Sequence, residues 1–218
     1  MKQSIIILIR PLLFVPLCLL SMGVYAQQSI DLDEFNAAGK LEAVNREVKS
    51  HASPGAVMIN ARQNDGMVHV KEVSFETGTI EVELLGANKP GQSFIGLAFN
   101  VDGRTYEAVY FRPFNFVAKD PAKQNYMVQY MALPDYNWRT LRGSRPGEFE
   151  GKIEAAPNPD DWFKTTIVVK ADEVLVYVAD QSEPVLQVER LIRGSSENIA
   201  LWVGNNSEGG FRNLTIKE

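Results

Sequence analysis

The sequence predicts an all-β fold, an antiparallel sandwich of two sheets, and three observations carry that expectation. About eleven short segments alternate apolar and polar residues with the two-residue period of a strand. Turn signals separate them at Asn64-Asp65-Gly66, Asn88-Lys89-Pro90-Gly91, Asp102-Gly103, Pro157 to Asp161 and Gly204 to Gly210. Helical periodicity is confined to short pieces between Leu32 and Val44, and Lys40 to Lys49 reads equally well as a strand. Many short strands with turns between them close into a sandwich or barrel.

The first element in chain order is a targeting segment. Lys2 and Arg10 supply positive charge, Pro11 to Met22 is almost wholly apolar, and Val24-Tyr25-Ala26 ends in a small residue, the three-part pattern of a signal peptide cleaved after Ala26. As a membrane anchor the run is broken by Arg10-Pro11 and is shorter than the about 20 residues a span needs. Cys18, the only cysteine, lies inside this segment after Val15-Pro16-Leu17, which lack the small residues of a lipidation site. The expected location is therefore secreted or periplasmic, with residues 27–218 forming a single domain without disulfides or thiol chemistry. The formal net charge of −5 becomes more negative by two when Lys2 and Arg10 leave. No basic cluster stands out, which argues against nucleic acid and, after cleavage, against a membrane as partner.

The expected strands are Ala56 to Arg62, Met67 to Phe75, Gly78 to Leu85, Phe94 to Val101, Thr105 to Phe114, Asn125 to Leu133, Trp162 to Lys170, Glu173 to Ala179, Val185 to Leu191, Asn198 to Gly204 and Phe211 to Lys217. Their alternation assigns faces. Ile80, Val82 and Leu84 point inward in one strand, Ile95, Leu97 and Phe99 in the next, then Val109 with Phe111, Tyr126 with Val128 and Tyr130, and Leu201 with Val203. The opposite faces then carry Gly96, Ala98, Asn100, Ala108, Tyr110, Arg112, Met127, Gln129 and Trp202. Such a mixture suits a sugar: an aromatic plane lies under the C–H face of a pyranose, amides and a guanidinium bond its hydroxyls, and small residues make room. Asn100, Tyr110, Arg112, Gln129 and Trp202 are accordingly the candidate ligand-binding residues, weighed against an ordinary solvated sheet face.

Roughly Gly78 to Glu218 resembles the concanavalin A-like, or laminin G-like, jelly roll. The matching pieces are Gly78 to Glu83, Gly91 to Phe99, Ala108 to Phe114, Asp161 to Val169 with Val174 to Val178, and the closing pair Asn198 to Lys217. The resemblance is specifically to the exported bacterial type related to the 3-keto-disaccharide hydrolase domain. It implies a two-sheet jelly-roll sandwich of the lectin and glucanase kind, and a carbohydrate (glycan or oligosaccharide) as partner.

Whether the chain is an enzyme stays open. Retaining glycosidases of this fold carry Glu-x-Asp-x-x-Glu on one strand; here Glu81 and Glu83 supply the first pair, and the third position falls on Gly86. Two carboxylates on one face of a strand stand about 7 Å apart at Cα, compatible with the carboxyl spacing of a retaining pair, yet alternating Glu also keeps an outer face wet. His51 and His69 have no metal-ligand spacing. No cofactor is expected; calcium at Asn158, Asp160 and Asp161 is the lesser alternative to their role as turn formers.

Leu133 to Glu154 departs from strand grammar, and loops longer than about 12 residues are usually functional or disordered. Arg139, Arg142 and Arg145 recur there beside Tyr136 and Trp138. The segment either walls a pocket or packs as a cover, with its arginines paired to Glu148, Glu150 and Glu154. Glu81, Glu83, Trp138, Arg142 and Asn205 form a second rank of candidates. The reading is an exported carbohydrate-handling jelly roll, glycoside-processing or glycan-binding, with a noncatalytic lectin-like module or a structural adhesion module as the alternatives.

Overall fold

The computed structural model describes residues 27–194 and 196–218; the expected leader, Cys18 included, lies outside them. In chain order the strands are β1 (Gln27–Ile30), β2 (Leu41–Val44), β3 (Val48–Ser50), β4 (Val57–Ile59), β5 (Gly66–Val70), β6 (Gly78–Leu85), β7 (Ile95–Asp102) and β8 (Thr105–Phe111). There follow β9 (Val128–Leu133), β10 (Glu150–Gly151), β11 (Trp162–Val169), β12 (Glu173–Val178), β13 (Leu186–Glu189), β14 (Ala200–Val203) and β15 (Gly209–Lys217). Three short α-helices, α1 (Leu32–Ala37), α2 (Pro121–Gln124) and α3 (Trp138–Ser144), and a single 3-10 turn at Pro113–Asn115 join them in the described residues.

The strands form two antiparallel sheets. The first is eight-stranded, in the order β13-β12-β11-β6-β15-β4-β3 with β1 also on β15; the second is seven-stranded, β10-β9-β8-β7-β14-β5-β2. The all-β sandwich expected from alternation is the fold observed, and between its sheets lie the inward rows. Ile80, Val82 and Leu84 of β6 are 0–1% exposed, as are Ile95, Leu97 and Phe99 of β7 and Leu201 and Val203 of β14.

Segments with weak strand grammar contribute where the sequence was ambiguous. Lys40 to Lys49 holds two strands that belong to different sheets, β2 on β5 and β3 on β4, and the chain crosses between them at Asn45, whose φ is 56°. Arg46 is buried at this crossing. Its Nη2 donates to the carbonyls of Asn64 (2.6 Å) and Gly204 (2.9 Å), tying two loop ends together. The stretch Leu133 to Glu154 is not an open loop. Asn137 caps α3, its Oδ1 accepting from the amides of Arg139 (3.0 Å) and Thr140 (3.1 Å), and Glu150–Gly151 returns to pair with β9 as β10.

Candidate functional site

Inter-strand register lays one row of side chains across the outer face of the second sheet. Glu150 of β10 stands opposite Gln129, Gln129 opposite Tyr110, Tyr110 opposite Gly96, Gly96 opposite Trp202, and Trp202 opposite Met67. Gly96 is what lets the middle of this row close. A Cβ there would lie 2.0 Å from the Val109 carbonyl and 2.5 Å from the Tyr110 Cα, so only glycine fits. The rings of Tyr110 and Trp202 meet across it with centroids 4.9 Å apart and planes tilted by 38°. The Trp202 indole donates to the Tyr106 hydroxyl at 3.3 Å. Ala98 and Ala108, expected to leave room, are fully covered, as is Ala200.

Loops raise walls around this floor and enclose a cleft of about 1030 Å³. One wall comes from Phe94 and Phe114, whose rings meet edge to face at 5.4 Å, and from α2 and the chain on either side of it, with Lys119, Asp120, Lys123 and Tyr126. A second is α3, which presents Trp138 and Arg142. A third joins Asn88, Asn205 and Asp65, held in place by Arg46 and by the Asn64 amide donating to the Asn205 side chain at 2.7 Å.

Polar groups in the floor are already committed to one another. Arg112, 6% exposed, donates through Nη2 to the Tyr110 hydroxyl (2.7 Å) and Gln129 Oε1 (3.0 Å), and through Nη1 to the Tyr126 carbonyl (3.1 Å). Glu150 lies 3.6 Å from Arg112 Nη1 and chelates Arg142, accepting from its Nε at 3.0 Å and from its Nη2. Arg142 also sits 4.0 Å over the Tyr126 ring and 5.1 Å over that of Trp138. Burial pushes the Tyr110 hydroxyl up to about 12, against a lowering by Arg112, and lowers the Arg112 guanidinium, against Tyr110 and Glu150. The Glu150 hydrogen bond raises Arg142.

Asp65, which sequence reasoning took only for a turn residue, stands at the opposite end of the cleft. Its side chain reaches solvent, but crowding by surrounding protein raises its carboxyl above the ordinary 3.8, and the Asn205 amide and Arg46 pull the other way. The Asn64-Asp65-Gly66 turn was visible in the sequence; nothing there placed it beside Trp202.

The structure thus brings Tyr110, Arg112, Trp202, Trp138, Arg142 and Asn205 to one cleft. Gln129 lies beneath it, fully buried, bonded to Arg112 and to the Tyr130 (3.0 Å) and Phe149 (3.2 Å) carbonyls. Asn100 lies elsewhere. The pairing of β7 with β8 is irregular between Phe99 and Asp102, Asn100 takes φ 52°, and its amide donates to buried Glu107 at 3.1 Å, since a bulge re-aims the side chain. Glu81 and Glu83 are on the other sheet, Glu81 with Lys217 (2.9 Å) and Lys164 (3.3 Å), Glu83 with Arg212 (2.7 Å). Trp202 differs from expectation in exposure. It is 3% exposed, whereas Trp138 is 39% exposed. Asn158, Asp160 and Asp161 fold into a turn, the Asn158 amide donating to Asp161 and the Asn88 amide to Asp160, each at 2.8 Å. Among the described residues no group of three or more His, Cys, Asp or Glu is placed to hold a metal ion.

No family model matches the chain, and no curated protein matches it in sequence. Solved structures share its fold. A Bacillus subtilis protein with a galectin-like fold is similar with TM-score 0.58 at 11% identity, over 89% of this chain and 98% of that one. A carbohydrate-binding module of family 66 from Bacillus subtilis gives 0.57 at 12%, over 81% and 95%. The Crh5 transglycosylase in complex with NAG gives 0.57 at 11%, over 88% and 84%. The fold is the galectin-like, concanavalin A-like jelly roll.

Proposed function

We propose that this chain is an exported glycan-binding jelly roll, its leader removed after Ala26, and that its ligand lies in the cleft on the second sheet. One observation carries the reading: a cleft of about 1030 Å³ lined by Phe94, Tyr110, Phe114, Tyr126, Trp138 and Trp202 also presents Asn88, Asn205, Arg112 and Arg142. Aromatic planes beside fixed amides and guanidinium groups match the alternating C–H faces and hydroxyls of a sugar chain. The structural neighbours that bind or process sugars support the same class. Trp138 offers the open aromatic surface, with Tyr110 and Trp202 beneath as floor.

Hydrolysis is the second reading, favoured by Asp65, whose raised carboxyl stands in the cleft as an acid catalyst's would. The cleft's other lining carboxylate, Asp120, caps α2 by accepting from the Ala122 amide at 3.0 Å, so the two-carboxylate pair of most glycosidases is less well supported than binding.

The test is a glycan array followed by calorimetry. Trp138→Ala should weaken the bound glycan by roughly 1–3 kcal/mol, the scale of an aromatic hot spot, without moving the melting temperature. An array with no hits, or a bound glycan whose affinity ignores both Trp138→Ala and Asn205→Ala, overturns the assignment. Product released by the wild type and lost in Asp65→Asn would establish the second reading.

A further inference from the structure

We infer that the cleft is selective for acidic glycans, sugars carrying a carboxylate or sulfate, and that the anionic group docks at the end formed by Lys119, Lys123, Arg112 and Arg142. This rests on the glycan-binding reading of the same cleft. The chain as a whole is acidic, with a formal net charge of −5, yet this cleft gathers cations. Arg112 and Arg142 share a single carboxylate, Glu150, so the cluster keeps one surplus positive charge, and Arg112 holds its part almost wholly out of water. Lys119 and Lys123 stand on the adjoining wall, and among the described residues neither has a carboxylate within ion-pair distance. Apart from Lys49, every other described lysine does. Asp120, between the two, is turned to the Ala122 amide of α2.

Arg112 and Arg142 meet at Glu150 of β10 and at Tyr126, just before β9, and Lys123 adjoins them, its carbonyl accepting from the Tyr126 amide at 3.1 Å; Asp65 lies immediately before β5, beyond Trp202. Strand spacing makes the floor from β9 to β14 about 14 Å wide. A glycan lying across it meets positive charge at one end and negative at the other, which fixes its direction as well as its class. Tyr126 and Trp138 flank the basic end, so a ring can stack while its anionic group reaches the lysines.

The experiment compares three probes of equal length by calorimetry at low ionic strength: an oligogalacturonate, a sulfated galactan oligosaccharide and a neutral galactan oligosaccharide. At least one acidic probe should bind about tenfold more tightly than the neutral one, an advantage that added salt erodes. In the Lys119→Ala/Lys123→Ala variant the advantage should shrink about fivefold or more. Preference for the carboxylate, for the sulfate or for both equally supports the inference and names the source of the charge. A neutral probe that binds as tightly as the acidic ones and is sensitive to Trp138→Ala overturns it while leaving the glycan-binding reading intact; a selectivity unchanged in the double lysine variant also overturns it. Failure of every probe and of the wider array takes both readings down.

Discussion

The two outer faces of the sandwich start from the same strand grammar and end in different environments. On the first sheet, β6 and β11 alternate buried residues with half-exposed or exposed ones, and the charged ones among the outward residues, Glu81, Glu83 and Lys164, are paired across strands. On the second, almost every residue of β7, β8, β9 and β14 is buried on both faces. The chain between Pro113 and Gly151 contributes to the difference: its β9 and β10 extend the second sheet, and its helices α2 and α3 supply Lys123, Trp138 and Arg142 to the walls above that sheet's face. Alternation reports which side chains share a face. Whether that face is wet depends on what distant chain is laid over it, and the covered face is the one with a cleft.

The broadest test of this division is the shared interior. Val82→Asp in the first sheet and Leu201→Asp in the second each put an unpaired charge between the sheets, at a cost of about 4 kcal/mol or more. Both should abolish a cooperative melt; a variant that melts like wild type would show the face assignment of that strand to be wrong.

A sharper test compares two carboxylate–arginine pairs, one on each outer face. The Glu150 side chain is 3% exposed between Arg112 and Arg142, and that of Glu83 is 25% exposed beside Arg212. Glu150→Gln leaves the buried Arg112 without its carboxylate and should cost about 3 kcal/mol by chemical denaturation. Glu83→Gln should cost under about 1 kcal/mol. Equal costs would mean that the second sheet's face is as wet as the first's.

The smallest effect is a difference of sign with pH. The Lys217 hydrogen bond lowers Glu81 below 4.5; burial raises Glu83, but Asn213 and Arg212 outweigh it and the net shift is downward. Their contribution to stability is present above 4.5 and is lost as pH falls through their folded values. Asp65 is shifted upward, so its contribution is full below its ordinary 3.8 and is lost as pH rises through its folded value. Melting temperature against pH should therefore show a shallower acid loss in Glu81→Gln/Glu83→Gln. In Asp65→Asn it should show a gain at neutral pH that vanishes below pH 3.8. Shifts of the same sign in the two variants would contradict the contrast.

Much of the fold was legible because a strand's face is a local property: β6 runs Gly78–Leu85 as its alternation and flanking turns require, and the inward rows of β6, β7 and β14 were readable residue by residue; before β9 the reading failed, since Tyr126, expected inward, lines the cleft and Met127, expected outward, is buried. Short elements were not. α3 was hidden in a polar aromatic stretch because seven residues carry little periodicity, and its signal was Asn137 as N-cap. β2 and β3 are too short for alternation to separate. Asn100 was placed by a period that the bulge after Phe99 breaks, and Glu81 with Glu83 could not be assigned to the first sheet rather than the second until pairing was known.

By itself the sequence determined the class of fold, the inward residues and a leader pattern, since all three follow from short-range periodicity and composition. Only the tertiary structure decided which sheet face would be roofed, that Tyr110 and Trp202 would close over Gly96, and that Asp65, Asn205, Lys123 and Arg142 would border one cleft. From Asp65 to Asn205 those neighbours span 140 residues of chain. Their proximity is set by strand order across the sheet, and strand order is a free-energy choice of the whole core that no local window of sequence contains.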